Sequence, residues 1–214
     1  MSTNTNANQN GGKVYVVDDE LAVRRSLRWL LESAGLEVEA YESPDEFLEH
    51  YAGEGPACLV LDLMMPGKTG LDLQQELTER GTELPIIFLT GQGKVPDAVK
   101  ALKQGAFEFL EKPFSDDVLL ERIRAAIDHD RSRQAERADQ AASAARISGL
   151  TRREREVVAR VASGLPNKVI AMELGLSPRT VEVYRAQAMR KTGAKSLAEL
   201  VQLVVKTGSP AAVS

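Results

Sequence analysis

The sequence predicts a doubly wound α/β domain of five parallel strands, followed by an all-α domain of four helices containing a helix-turn-helix. Three observations carry this reading. Between residues 13 and 127, short apolar runs alternate with amphipathic stretches, as in parallel strands covered by helices on both faces. From 150 to 206 only helical periodicity appears, punctuated by capping sequences. Charge divides at the same place. Leu150 to Lys206 holds 11 Lys/Arg against 5 Asp/Glu, a net of +6, whereas the remainder holds 16 against 26, a net of −10.

Each element has its own signal. Lys13 to Val17 reads as a buried strand, and Val23, Leu27, Leu30, Leu31 and Ala34 follow at helical spacing until Gly35. Val38 to Tyr41 is a second strand. Ser43-Pro44-Asp45-Glu46 opens a helix with a Ser cap, Pro in the first turn and Glu three residues on. Cys58 to Leu61 is a third strand, with Leu71, Leu73 and Leu77 in the next helix. Ile86 to Leu89 is a fourth strand, Ala98 to Lys103 a short helix and Phe107 to Leu110 a fifth strand, before a helix from about Ser115. Five strands and five helices in about 115 residues suit one flavodoxin-like domain, whose site lies at the carboxyl ends of the strands.

Residues 128–149 are rich in Ala, Arg, Asp, Glu and Gln and nearly free of large apolar residues. They read either as a charged helical linker extending the fifth helix or as a flexible tether. Beyond them, Thr151 and Glu154 make a capping box, Gly164 ends that helix, and Asn167 caps a second one through Leu174. Ser177-Pro178 opens a third helix, so that two short helices joined through Gly175-Leu176-Ser177 form a helix-turn-helix. Ser196 and Glu199 make another capping box. Residues 1–12 and 207–214 read as disordered tails.

Composition excludes several classes. The chain has 214 residues, enough for two small cores, with 43% hydrophobic and 27% charged residues. No apolar run reaches the roughly 18 residues that span a bilayer, so no membrane partner is expected. The amino terminus is not a signal peptide. The single cysteine, Cys58, rules out a disulfide framework and fits the reducing cytoplasm. His50 and His129 stand alone, without the neighbours a metal or catalytic histidine needs. Thr90-Gly-Gln-Gly-Lys94 is not a phosphate-binding loop, because Phe88 stands where that motif needs its first Gly and Val95 where it needs Ser or Thr.

Four strand ends carry the chemistry. Asp18-Asp19-Glu20 follows the first strand, Asp62 the third, Thr90 the fourth and Lys112-Pro113 the fifth. In a doubly wound sheet these ends lie side by side. Clustered carboxylates repel one another, and a hard divalent cation with oxygen ligands relieves the repulsion. Mg²⁺, which keeps several waters, is the expected occupant. A carboxylate can accept a phosphoryl group, while Mg²⁺ and the Lys112 ammonium neutralise the transferring charge and the Thr90 hydroxyl donates to a phosphoryl oxygen.

Val-Tyr-Val-Val-Asp18-Asp19-Glu, Leu-Val-Leu-Asp62-Leu-Met-Met-Pro-Gly-Lys-Thr-Gly, Phe-Leu-Thr90-Gly and Phe-Leu-Glu-Lys112-Pro-Phe together resemble the receiver domains of two-component response regulators over residues 13–127. The resemblance implies that Asp62 takes a phosphoryl group from a separate sensor histidine kinase. It implies Mg²⁺ held by Asp19, Asp62 and the backbone carbonyl of Met64, with Asp18 in support. It further implies a cis Lys112-Pro113 bond, a switch pair of Thr90 and Phe109, and at most slow self-dephosphorylation rather than enzymatic turnover.

The basic half fits polyanions. In the helix from Pro178, Val181, Tyr184 and Ala188 are spaced to face the core. Arg179, Glu182, Val183, Ala186, Gln187 and Arg190 then face outward, toward the edges of bases in a major groove of double-stranded DNA. Lys168, Thr180, Arg185, Lys191 and Lys195 are placed for phosphates, which set position rather than sequence. Leu150-Thr-Arg-Arg-Glu154, Gly164-Leu-Pro-Asn167-Lys168-Val-Ile-Ala and Ser177-Pro-Arg-Thr180-Val181-Glu-Val-Tyr184-Arg resemble the LuxR/NarL-type DNA-binding domain, and with this receiver the FixJ-like subgroup. That family commonly has His at the place of Tyr184 and larger apolar residues at Ala188 and Thr192. The resemblance implies a homodimer formed on phosphorylation, helped by the helix from Ser196 to Val205, and activation of transcription, with RNA polymerase as a further partner. Two other readings of the same residues are a Mg²⁺-dependent phosphotransferase, against which Met64 stands where an Asp-x-Asp nucleophile pair needs its second acid, and a DNA-binding protein whose first domain only dimerises.

Overall fold

The computed structural model describes residues 11–53, 55–91 and 101–207. The expected tails therefore lie outside the described residues except for Gly11, Gly12 and Thr207, and so do the first three residues of the expected helix Ala98–Lys103, whose last three are helical. The chain divides into two units, residues 1–134 and 135–214.

The first unit holds strands β1 (Lys13–Val17), β2 (Glu37–Tyr41), β3 (Ala57–Asp62), β4 (Ile86–Thr90) and β5 (Glu108–Glu111). They form one parallel sheet in the order β2-β1-β3-β4-β5. Helices α1 (Leu21–Ser33), α2 (Pro44–His50), α3 (Gly70–Glu79) and the start of α4 (Asp116–Ser148) cover it. The strand residues alternate between two buried layers, as a two-residue side-chain period requires. Tyr15, Val17, Leu59, Leu61, Ile86 and Phe88 face one layer, closed by Phe47 of α2 and by Leu73 and Leu77 of α3. Val14, Val16, Cys58, Val60, Ile87 and Leu89 face the other, closed by Leu27 and Leu31 of α1 and by Leu119, Ile123 and Ile127 of α4. Burial of such side chains contributes about 1.5–3 kcal/mol each. Burial also pushes the Cys58 thiol well above its ordinary range, so it is an inert core residue.

Helix starts follow the sequence signals with two corrections. Ser43 caps α2, Thr151 and Glu154 form a reciprocal capping box, and Ser177 caps the helix after it. Asn167, however, is the first residue of its helix rather than the cap; Pro166 holds the cap position, and the Asn167 side-chain oxygen instead accepts from Arg185. Glu199 makes only half of the expected box. The Ser196 hydroxyl accepts from the Glu199 N–H, but the Glu199 carboxylate accepts from Lys195 N and Arg146.

Residues 116–148 form one 33-residue helix, α4. Past the last apolar contact of the first unit it is held there by polar ones. Buried Asp130 accepts from Ala57 N at 2.9 Å, and Gln134 donates to the Gly55 carbonyl at 2.8 Å. The second unit contains the rest of α4 with α5 (Arg152–Ala162), α6 (Asn167–Leu174), α7 (Pro178–Thr192) and α8 (Leu197–Lys206). Its core joins Leu150, Val158, Ala188, Leu200 and Leu203 on one side and Val157, Ile170, Ala171 and Val181 on the other. Gly175, at φ +66°, makes the left-handed turn between α6 and α7. No helix among the described residues is long and apolar enough to cross a membrane.

Candidate functional site

The sheet register brings the chemistry-bearing residues together. Val17 pairs with Leu61, so Asp18 and Asp62 leave neighbouring strands at the same level. Thr90 pairs with Glu111, which places Lys112 one residue beyond. Lys112 lies 94 residues from Asp18 and 50 from Asp62 in sequence. Yet its ammonium donates to Asp18 Oδ2 at 3.1 Å and to Asp62 Oδ1 at 2.9 Å. The Lys112-Pro113 bond is cis, and Lys112 N donates to the Thr90 carbonyl at 2.7 Å. Thr90 itself is buried at the end of β4.

Both acids are held from the main chain as well. Met64 N donates to Asp62 Oδ2 at 2.8 Å, and Glu20 N donates to Asp18 Oδ1 at 2.9 Å. Asp19 stands exposed at the rim, as does the Met64 side chain. Burial raises the Asp62 carboxyl above its ordinary range, and the Lys112 bond opposes this only in part. Burial by itself would lower Lys112, but its bonds to Asp62 and Asp18 outweigh that and raise it.

Among the described residues, no three His, Cys, Asp or Glu side chains converge tightly enough to enclose a metal ion by themselves. The donor set nevertheless suits a hard cation. Asp18, Asp19, Asp62 and the Met64 carbonyl offer only oxygen, and a single ammonium cannot neutralise three carboxylates. Phe109 lies outside this cup, half-buried on β5 with its ring 6.4 Å from that of Phe88.

One residue was not singled out from the sequence. Arg24, on α1, donates through Nη1 to the carbonyls of Asp18 at 2.7 Å and Asp19 at 2.9 Å. It clamps the acidic loop by its backbone, which leaves the carboxylates free for other partners. The signal available was a cation one turn inside a helix that opens on an acidic loop.

In the second unit, Val181 and Ala188 are buried and Tyr184 packs half-buried against Val157, Ile170 and Val181. Buried Thr192 turns its hydroxyl onto the Ala188 carbonyl at 2.8 Å. Lys168, Arg179, Glu182, Val183, Ala186 and Arg190 are exposed. Three residues assigned to phosphates also hold the fold. The Thr180 hydroxyl is 2.8 Å from Ser177 Oγ at the α7 cap, Arg185 bonds Asn167, and Lys191 Nζ donates to buried Glu154 at 2.8 Å.

This last contact has a measurable consequence. Burial raises Glu154, but its bonds to Lys191 and Thr151 more than offset that and hold it below the ordinary carboxylate range. A depressed carboxyl stabilises the fold above its unfolded pKa, roughly 4.3, and that contribution fades as pH falls through the folded value. Lys191→Met leaves a buried carboxylate without its cation. It is expected to cost the second unit about 2 kcal/mol at pH 7, below the range for fully buried pairs because Lys191 is partly exposed, and much less near pH 3. Urea unfolding at the two pH values checks this; equal losses at both would contradict it.

The family described as "Response regulator receiver domain" matches residues 14–124, and "Bacterial regulatory proteins, luxR family" matches residues 148–204. Transcriptional regulatory protein FixJ of Azorhizobium caulinodans is 47% identical over 91% of this chain and 92% of its own length. FixJ of Bradyrhizobium diazoefficiens is 45% identical over 92% and 96%. Among solved structures, the low-resolution structure of response regulator StyR is 44% identical, covers 92% of this chain and 99% of its own, and superposes with a TM-score of 0.82. Full-length FixJ from B. japonicum is also 44% identical, over 92% and 97%, with a TM-score of 0.57. The chain belongs to the FixJ-type response regulators, transcription regulators in which a receiver domain is followed by a LuxR-type helix-turn-helix DNA-binding domain.

Proposed function

We propose that Asp62 is the phosphoryl acceptor of this regulator and that its phosphorylation drives dimerisation and promoter binding. The observation that carries the reading is the Lys112 ammonium held between Asp18 and Asp62 at the ends of three strands. The phosphoryl group comes from a phosphohistidine of a sensor kinase. An Asp62 oxygen attacks phosphorus, the P–N bond breaks, and the imidazole leaves with its electron pair and takes a proton from solvent. Lys112 then follows the negative charge from the carboxylate to the phosphoryl oxygens, and the Thr90 hydroxyl donates to another of them. Asp19, Asp62 and the Met64 carbonyl, with Asp18 in support, would hold Mg²⁺. That ion supplies charge neutralisation on the transferring group. The movement of Thr90 draws Phe109 inward and repacks the surface around β5, the bistable element that phosphate biases.

The receiver (13–127) and the DNA-binding part (150–206) are joined through residues 128–149. Two α7 helices in a dimer enter successive major grooves roughly 34 Å apart. Arg179 and Arg190 read guanine, Glu182 accepts from cytosine, and the apolar faces of Val183 and Ala186 suit a thymine methyl. Lys168, Thr180, Arg185 and Lys191 lie toward the phosphates. The output is activation, with RNA polymerase as the downstream partner, and the chain does no turnover beyond slow self-dephosphorylation. Incubation with acetyl phosphate and Mg²⁺ tests this: intact mass should show one added phosphoryl group, and sedimentation a dimer with tighter promoter binding. A protein that remains unmodified and monomeric would overturn it.

Arg24 should tune the site without touching the phosphoryl group. Arg24→Ala frees the two carbonyls that it clamps and is expected to weaken Mg²⁺ binding about tenfold, as loss of a supporting contact commonly does. Amide shifts of Asp19 and Met64 during a Mg²⁺ titration report this, and unchanged affinity would leave Arg24 a surface residue.

A further inference from the structure

The last turns of α4 are tied into the second unit. Asp139, Ser143 and Arg146 stand four and three residues apart, on one face of the helix. Asp139 pairs with Lys206 of α8 at 2.7 Å, and Ser143 is buried. Ile147 packs against the core of Leu150, Val158, Ala188 and Leu200.

Arg146 joins three elements. Its Nε donates to the Thr192 carbonyl at 2.5 Å, and its Nη2 donates to Glu199 Oε1 at 3.2 Å. Thr192 is the last residue of α7, and Glu199 lies in the first turn of α8. The final carbonyls of a helix have no intrahelical partner and form the negative end of its dipole, so a guanidinium is favourable there. Thr192 is buried, which leaves little water to take the place of Arg146. Gly193, at φ +67°, ends α7 alongside the guanidinium, where a Cβ built on it would stand 3.8 Å from Nη2. The luxR-family match begins at residue 148, so the clamp is supplied from outside it.

We propose that Arg146 is a positioning residue for DNA recognition. It fixes the carboxyl end of α7 against the start of α8 and thereby sets the angle at which α7 meets the major groove. The inference rests on the reading of α7 as the helix that enters the groove. The guanidinium acts through Thr192 and Glu199, not on DNA itself. The end of α4, which the sequence presents as a linker, is then a working part of the DNA-binding unit.

The test uses the full chain and two duplexes, one selected from a random pool by the parent protein and one of mixed sequence. Arg146→Gln, close in length but uncharged, should weaken the selected duplex about tenfold, the worth of one good base contact. Arg146→Lys keeps the charge, but an ammonium does not reproduce the two-armed guanidinium fork, and a loss of about threefold is expected. Affinity for the mixed duplex, and its dependence on salt, should stay at the parent level in both variants. Loss of a phosphate contact would instead flatten the salt slope by about 0.9. Unmoved amide shifts of Ile170 and Ala171, in the core of α6, show that a variant is folded, while those of Gly193 and Lys195 should move. If Arg146→Gln does not fold, Arg146→Lys decides the question alone. A double variant, Arg179→Ala with Glu182→Ala on the exposed face of α7, checks the groove helix separately and should also weaken the selected duplex about tenfold or more. Full selective binding by a folded Arg146 variant, beside a weakened double variant, would refute the clamp. A flattened salt slope would make Arg146 a phosphate contact instead. Full binding by the double variant would take α7 out of the groove, and the proposal would fall with it.

Discussion

Asp62→Asn is expected to abolish phosphoryl uptake and, with it, every phosphorylation-dependent gain in dimerisation and DNA binding. The amide is nearly the same shape, so the Met64 N–H can still donate to the side-chain oxygen. What it lacks is a nucleophilic anion. Loss of the charge also relieves carboxylate repulsion and removes one of the two acids that hold Lys112. The variant should therefore fold, and be at least as stable as the parent protein, while intact mass after acetyl phosphate treatment shows no addition. Promoter affinity should stay at the unphosphorylated level whether or not the donor is present. Phosphorylation that persisted in Asp62→Asn would move the acceptor elsewhere, with Asp18 the neighbour to examine first.

The second large effect is expected at Gly70, where the usual rule reverses. Gly to Ala within a helix ordinarily stabilises by up to about 1 kcal/mol. Gly70 opens α3, and its N–H donates to the Leu63 carbonyl at 3.0 Å. A Cβ built there would lie 2.4 Å from the Asp62 carbonyl oxygen and 2.9 Å from the Phe88 ring. The first of these is backbone and cannot swing aside. Either α3 or the end of β3 must move, and overpacking of this kind costs about 1–3 kcal/mol. Gly70→Ala should therefore destabilise the first unit by about 2 kcal/mol in urea. It should also slow phosphoryl uptake by tenfold or more, because the displaced residue is the acceptor itself. A stabilised variant with normal uptake would show that α3 can shift without moving Asp62.

Much of the molecule was legible before any coordinates. Unbroken apolar runs in β1, β3 and β4 are a local signal of strands covered on both faces, and they assigned the strands to within about two residues at each end. The placement of Asp18, Asp62, Thr90 and Lys112 at strand ends followed from where those runs stop, because topology then makes neighbours of residues far apart in sequence. Other contacts had no such signal. Arg24 could have pointed to solvent, and only the fold shows it holding two carbonyls. Lys191 looks like a phosphate contact on an exposed basic face, and only packing reveals the buried Glu154 that it neutralises. The end of the first unit looked like Ile127, where the apolar pattern stops, whereas Asp130 and Gln134 carry the attachment further through hydrogen bonds.

The sequence by itself determined the fold class, the order of the elements and the set of residues at the strand ends, because periodicity, caps and turns act over a few neighbours and leave a local trace. The tertiary structure alone decided polar contacts such as those of Asp130 with Ala57 and Gln134 with Gly55, which join groups more than 70 residues apart. It decided which glycine has no room for a methyl group and which buried atoms are left unpaired. These depend on directional contacts and on volumes shared by several elements, and no window along the chain contains them.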